Sequence, residues 1–179
     1  MKKILVVVDM QNDFISGSLG TKEAELIVDK VAAKIRKYRP EDVFATLDTH
    51  SANYLETAEG KNLPVEHCIR GTSGWELNER IKELLTDSVK IEKPTFGSLA
   101  LADHILNLYN HEQELEIELV GLCTDICVVT NALLLKTKMP EAMIKVDASC
   151  CAGVTKESHD AALLTMKMCQ IAVVTGNEE

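Results

Sequence analysis

The sequence has no excess of positive charge and no long apolar run. Lysine and arginine number 19 against 28 acidic residues, giving a formal net charge of −9. No basic stripe exists to meet phosphates, so a nucleic-acid partner is not expected. The apolar run Ile4–Val8 ends at Asp9 and is too short for a signal peptide, and no segment approaches the roughly 20 apolar residues of a membrane span. We therefore expect a soluble, cytoplasmic protein without a membrane partner.

Paired-cysteine motifs are also missing. The six cysteines show no C-x-x-C spacing and no disulfide framework, which disfavours a zinc ribbon or a thioredoxin-type site. We interpret most of them as small buried hydrophobic residues in a reducing compartment. They are Cys68, Cys123, Cys127, Cys150, Cys151 and Cys169.

Short apolar segments alternate with helical patterns along the whole chain. Strands are predicted at Lys3–Val8, Val43–Leu47, Val89–Glu92, Leu115–Leu122, Met143–Val146 and Ile171–Thr175. Helices are predicted from Thr21 to Pro40 and at Trp75–Leu85, Ser98–Tyr109, Asp125–Lys136 and Thr155–Met168, with residues 49–74 irregular. Because the strands are apolar on both faces, this order predicts an α/β fold. We expect a three-layer α/β/α sandwich with a six-stranded parallel sheet, as one domain over residues 1–179.

The segment GLCTDIC, from Gly121 to Cys127, joins a predicted strand to a predicted helix. A cysteine in the first turn of a helix lies in a field that favours thiolate, so Cys127 is the candidate nucleophile with a lowered pKa. Asp9 and Lys93 also follow strands, and the carboxyl ends of parallel strands share one edge. Asp9 could act as the base, Lys93 could stabilise the charges, and the amides of Cys127 and Cys123 could bind an oxyanion. Each residue alone also fits a structural role.

A second polar group lies after the second strand and in the long loop. Asp48 and His50 share one face of an extended segment, and Glu59 and His67 follow. Two imidazoles with two carboxylates suit a divalent metal, Zn²⁺, Fe²⁺ or Mn²⁺, although loop histidines are also common without one. Phe14, Phe96 and Trp75 are candidates either for a pocket that takes a flat ring or for the core.

Several motifs together resemble the isochorismatase-like cysteine hydrolases, and most closely their nicotinamidase/pyrazinamidase branch. They are VVVDMQNDF, LDTH, EGKNLPVEHCIRGTSG, IEKPTFGS, GLCTDICVVTNA and VDASCCAGVT, in that order along nearly the whole chain. The resemblance implies a triad of Asp9, Lys93 and Cys127 and a cis peptide bond between Leu122 and Cys123 at the oxyanion hole. It also implies metal ligation by Asp48, His50, Glu59 and His67.

The implied activity is metal-assisted conversion of nicotinamide to nicotinate and ammonia through a thioester, within NAD salvage, in a homo-oligomer. One departure concerns the substrate ring, because Pro64 stands where several nicotinamidases have a stacking tryptophan. Ring recognition would then fall to Phe14, Leu19, Tyr54 or Phe96. Three alternatives stay open: another small amide or ureido substrate, a non-catalytic binding or assembly module, and a thiol redox role for Cys123 with Cys127. The D-x-H pair and Cys127 disfavour the vinyl-ether chemistry of isochorismatases proper.

Overall fold

The computed structural model describes residues 1–176 and contains one six-stranded sheet. All strand pairs are parallel, and the strand order is β3-β2-β1-β4-β5-β6. The strands are β1 Lys2–Val8, β2 Val43–Asp48, β3 Val89–Lys93, β4 Leu115–Leu122, β5 Met143–Ala152 and β6 Ala172–Val174. The predicted α/β fold with six parallel strands is confirmed.

Helices cover both faces of the sheet. They are α1 Asn12–Ile15, α2 Lys22–Ile35, α3 Ala58–Asn62, α4 Glu79–Leu84, α5 Leu99–Tyr109, α6 Val129–Lys138 and α7 Lys156–Met168. Helices α2 and α4 pack on one face, and α5, α6 and α7 pack on the other. No helix of residues 1–176 combines the length and apolar character needed to cross a membrane.

Strand β1 shows why the sheet is apolar on both faces. Ile4, Val6 and Val8 point into the core beneath α5 and α6, whereas Leu5 and Val7 point into the core beneath α2. All five are completely buried. Alternation of side chains along a strand thus builds two cores from one apolar run.

The structure corrects the sequence prediction in several places. Helix α4 begins at Glu79 rather than Trp75, because Trp75 and Glu76 lie in a turn and a bend and Leu77 forms a bridge with Gln11. Strand β5 runs on to Ala152 instead of ending at Val146. The segment predicted as irregular contains 3₁₀ turn Tyr54–Glu56 and helix α3. Tertiary contacts override local preference in each case.

The chain runs outward through β2 and β3 and then returns to start β4 beside β1. The strand order therefore reverses between β1 and β4, and in parallel sheets the ligand crevice lies at the carboxyl ends of the strands at such a point. Gly121 lets these two strands approach closely. Its φ is +118°, and a Cβ there would lie 2.1 Å from the carbonyl oxygen of Val8.

Candidate active site

The three residues of the predicted triad meet at the carboxyl ends of β1, β3 and β4. Lys93 Nζ lies 2.7 Å from Asp9 Oδ2 and 3.4 Å from Cys127 Sγ. Asp9 is completely buried, Lys93 is 1% exposed and Cys127 is 4% exposed. The structure therefore brings a carboxylate, an ammonium and a thiol together at one site shielded from water.

Asp9 is held by its backbone and by a neighbouring hydroxyl. Its φ is +46°, in the left-handed region, where the chain turns sharply at the end of β1. The Asp9 N–H donates to the Thr46 carbonyl at 3.2 Å, and the Thr46 hydroxyl donates to Asp9 Oδ1 at 2.6 Å. The carboxylate is thus fixed in place before any ligand enters.

The lowered pKa predicted for Cys127 is wrong. Burial raises the pKa of the Cys127 thiol well above its ordinary value, and the charges of Asp9 and Asp48 raise it further, while Lys93 opposes them. Burial also raises the pKa of Asp9, against the effect of Lys93. For Lys93, burial alone would lower the pKa, but the facing Asp9 and Cys127 raise it. The resting sulfur is therefore a thiol, and it needs a base to become a nucleophile.

The turn that carries Cys127 differs from the predicted helix start. Residues Thr124–Val128 form one π-helical turn, and α6 begins only at Val129. The peptide bond between Leu122 and Cys123 is cis, in agreement with the resemblance. The amides of Ile126 and Val128 both donate to the Cys123 carbonyl, at 3.1 and 3.0 Å.

Contacts from α7 and from the loop before it support this turn, and sequence reasoning missed them. His159 Nδ1 lies 2.8 Å from Thr124 Oγ1, and Asp125 accepts hydrogen bonds from the Val154 N–H, at 3.1 Å to Oδ2, and from the Ser158 hydroxyl. Thr124 and His159 are 35 residues apart in the sequence, so no local pattern links them.

The predicted metal ligands also converge. His50 Nε2 lies 3.0 Å and His67 Nε2 lies 3.6 Å from Asp48 Oδ2, and one atom from each of the three lies within 4.8 Å of the others. His67 Nδ1 lies 2.8 Å from the Val65 carbonyl, which holds the proton on Nδ1 and leaves Nε2 free as a ligand. Two imidazoles and a carboxylate, all buried, fit a transition metal such as zinc.

Glu59 borders this cluster from α3. Its Oε1 lies 3.7 Å from both His50 Nε2 and His67 Nε2. Burial alone would raise the pKa of Asp48, but the adjacent imidazoles of His50 and His67 and the charge of Lys93 lower it well below its usual range. Lys93 Nζ lies 3.3 Å from Asp48 Oδ1, so one ammonium joins the triad to the metal-type cluster.

A cavity of about 690 Å³ opens over Cys127 and the metal-type cluster. Of the predicted pocket residues, Phe14, Leu19 and Phe96 line it. Tyr54 does not: it is completely buried, its ring lies 4.7 Å from that of His50, and its hydroxyl donates to the Leu63 carbonyl. The pocket prediction for Tyr54 is therefore wrong, because the ring packs behind the histidines.

Trp75 also lies outside this cavity. Its indole N–H donates to the Thr49 hydroxyl at 2.9 Å, and its ring packs against the core beneath α2. The sequence left two alternatives for Trp75, a place in the pocket or in the core, and the structure supports the core.

Comparison with known proteins identifies the family. Residues 3–179 match the isochorismatase domain family. The chain is 30% identical over 199 aligned positions to the nicotinamidase of Escherichia coli, covering 93% of this chain and 90% of that protein. A crystal structure of nicotinamidase/pyrazinamidase PncA from Bacillus subtilis is 29% identical, covers 97% of this chain and 100% of its own, and superposes with a TM-score of 0.84. A pyrazinamidase of Pyrococcus horikoshii in complex with zinc is 27% identical, with 98% and 99% coverage and a TM-score of 0.78. The chain therefore belongs to the isochorismatase family and is a hydrolase that acts on amides.

Proposed function

We propose that the protein hydrolyses nicotinamide to nicotinate and ammonia through a cysteine thioester. The observation that carries this proposal is the convergence of Asp9, Lys93 and Cys127 beside the Asp48–His50–His67 cluster, under one cavity. A nucleophile, a proton acceptor and a site for a ring-binding metal are the parts that such a reaction needs. The nicotinamidase and pyrazinamidase relatives support the same substrate class.

In the first half of the proposed reaction, Asp9 takes the proton from the Cys127 thiol as sulfur attacks the carboxamide carbon. The new C–S bond gives a tetrahedral oxyanion, which rests on the amides of Cys123 and Cys127. Asp9 returns the proton to the amide nitrogen, the C–N bond breaks and ammonia leaves. Lys93 holds the Asp9 carboxylate in place and balances its charge.

In the second half, water occupies the place of ammonia. Asp9 takes a proton from it as the water oxygen attacks the thioester carbon, and the oxyanion forms at the same amides. The C–S bond then breaks, nicotinate is released and the sulfur regains its proton. A base that is fixed beside the sulfur serves both halves without a change of position.

Asp48, His50 and His67, bordered by Glu59, would hold a divalent metal, with zinc the best match to the donor set. A metal held there would supply a Lewis acid for the ring nitrogen of the substrate.

The cavity favours a neutral aromatic amide over a ureido acid. Among the described residues that line it, none is lysine or arginine, whereas Asp48 and Glu59 bring negative charge to one wall. No lysine or arginine side chain would pair there with a free carboxylate on the substrate. Phe14 and Phe96 offer apolar surface to a flat ring instead.

Ammonia release from nicotinamide by the purified, metal-analysed protein tests the proposal directly. We expect turnover by the wild type, loss of at least about 10³-fold in Cys127→Ala because the covalent route is removed, and loss after metal chelation with recovery on adding Zn²⁺. Cys169→Ala is the matched control, because that cysteine is exposed and outside the site.

Each contrary result has a definite meaning. Substantial turnover by folded Cys127→Ala would exclude the thioester route. Turnover of N-carbamoyl acids in preference to nicotinamide would replace the proposed substrate with a ureido compound. No turnover of either class, together with a failure of Cys127 to form an adduct with any amide, would indicate a non-catalytic member of the family.

A further inference from the structure

We infer that Gln11 and Asp13, which follow Asp9 in the VVVDMQNDF segment, are positioning residues that set the metal affinity of the Asp48–His50–His67 cluster. The inference depends on the metal site of the proposed function. Neither residue is itself within the cluster. Gln11 binds the main chain of the ligand residue Asp48. Asp13 binds the main chain of Cys68, next to the ligand residue His67.

Gln11 holds Asp48 by both of its backbone groups. The Asp48 N–H donates to Gln11 Oε1 at 2.7 Å, and Gln11 Nε2 donates to the Asp48 carbonyl at 2.8 Å. The same Nε2 donates to the Trp75 carbonyl at 2.8 Å. Gln11 is completely buried. Its side-chain amide therefore continues the β1–β2 pairing beyond Val8 and Thr46, where the ladder itself ends.

A primary amide is required for this contact. It offers an acceptor to the Asp48 N–H and two donors, one each for the Asp48 and Trp75 carbonyls. A carboxylate at Gln11 would place lone pairs against both carbonyls, and an apolar side chain would leave buried backbone groups without a partner.

Asp13 acts on the other side of the cluster, next to His67. Its Oδ2 accepts from the Cys68 N–H at 2.8 Å, and its Oδ1 accepts from the Ser18 N–H at 3.4 Å. Cys68 has a φ of +46°, so the chain turns sharply at the residue after the ligand. The space for the Asp13 carboxylate exists because residue 74 is glycine, where a Cβ would lie 2.1 Å from Asp13 Oδ2.

The hydrogen bond between Asp13 and Cys68 also affects the position of His50, the third ligand. The His50 N–H donates to the Cys68 carbonyl at 2.9 Å, and the Arg70 N–H donates to the His50 carbonyl at 2.9 Å. His50 and the segment after His67 therefore pair like two short strands. Through Cys68, Asp13 fixes the separation of the two imidazoles.

One short segment thus supplies the base and both anchors of the metal ligands. Because a metal needs its donors at set distances and angles, loosening the backbone behind them lowers affinity even when every ligand remains. Outer contacts of this kind typically change metal affinity by about 10–100-fold.

The test measures Zn²⁺ affinity of the whole protein by competition with a chromophoric chelator, and the absorption spectrum of the Co²⁺ form. We expect Gln11→Met, which keeps the length of the side chain and removes its hydrogen bonds, to weaken Zn²⁺ binding by about 10–100-fold and to alter the Co²⁺ bands. Asp13→Asn is the second variant. Its carboxamide can still accept from Cys68 but then turns its NH₂ toward the Ser18 N–H, so we expect a smaller loss in the same direction.

Tyr38→Phe is the control, since it removes a partly buried hydrogen bond to Glu118, away from the ligands. We expect unchanged Zn²⁺ affinity in this variant. Wild-type affinity in folded Gln11→Met overturns the inference for Gln11, and wild-type affinity in Asp13→Asn overturns it for Asp13. A wild type that binds no Zn²⁺ overturns the inference as a whole, whereas ammonia release from nicotinamide reports separately on the proposed function.

Discussion

At the scale of single residues, the protonation of Cys127 distinguishes this site from one with a pre-formed thiolate. Burial and the nearby carboxylates outweigh the single ammonium of Lys93, so the pKa of the thiol rises rather than falls. The ammonium still lies 3.4 Å from the sulfur, where it favours the charged form once a base accepts the proton. Nucleophilicity therefore depends on Asp9 acting when the substrate is bound.

This protonation state predicts low reactivity of the free enzyme toward alkylating agents. Near neutral pH, iodoacetamide should modify the exposed Cys169 before Cys127, as read by peptide mass mapping. A raised pKa means that the thiolate fraction grows only on the alkaline side, so labelling of Cys127 should increase with pH above neutrality. Preferential labelling of Cys127 at neutral pH would contradict a resting thiol.

At the scale of elements, the approach of β1 to β4 shapes the crevice. Gly121 lies opposite Val8 in the ladder, and its missing side chain lets the strand that carries the nucleophile turn reach the strand that carries the base. Asp9 and the turn at 124–128 follow directly from these two strand ends. The spacing of the two strands at Gly121 therefore fixes the spacing of base and sulfur.

Gly121→Ala is expected to destabilise the protein by more than about 4 kcal/mol, because it adds a clash with the Val8 carbonyl to the cost of a positive φ. The matched control is Gly71→Ala. Gly71 also has a positive φ, +82°, but a Cβ there meets nothing within 4 Å, so we expect about 1–2 kcal/mol. Urea unfolding of both variants measures the difference. Equal losses would show that the contact with Val8 is not limiting.

The sequence predicted the elements that depend on local pattern and missed those that depend on distant partners. Apolar runs identified all six strands, and the polar residues at their ends, such as Asp9 and Lys93, follow from the common edge of a parallel sheet. Gln11 was missed because its partner Asp48 lies 37 residues away. The predicted start of helix α4 at Trp75 is too early, because helical periodicity gives no sign of the bridge between Leu77 and Gln11.

At the scale of the whole molecule, a buried charge network lies away from the candidate site and joins α2 to the sheet. Lys34 Nζ lies 2.7 Å from both Glu118 Oε1 and Asp147 Oδ2, and Tyr38 also donates to Glu118. Burial alone would raise the pKa of Asp147, but hydrogen bonds from Lys34 and Ser149 lower it. The part of the stability that comes from Asp147 therefore depends on its charge.

Asp147→Asn should lower the free energy of unfolding by about 1.5–3 kcal/mol at neutral pH, because Lys34 loses one of its two carboxylate partners and keeps Glu118. A carboxyl whose pKa is depressed in the folded state contributes stability above its ordinary pKa and loses it as pH falls through the folded value. The difference from wild type should therefore shrink on acidification below about pH 4. Urea unfolding across pH measures it.

Asp103→Asn is the control for this experiment. Asp103 pairs with Lys138 at the surface, where both side chains are well exposed. Such pairs contribute about 0–1 kcal/mol, so the control should lose little at any pH. A loss in Asp147→Asn that stays constant between neutral and acid pH would show that the charge of Asp147 is not what stabilises the fold.

The position of Lys93 has a consequence for natural variation. Its ammonium touches the carboxylates of Asp9 and Asp48 at once, so three adjacent strands end in one connected group of charges. Substitutions at these three positions are energetically coupled and their effects do not add. This edge of the sheet is therefore epistatic: whether a replacement at one of the three positions is tolerated depends on the residues at the other two. Homologues that differ here have to be compared at all three positions together.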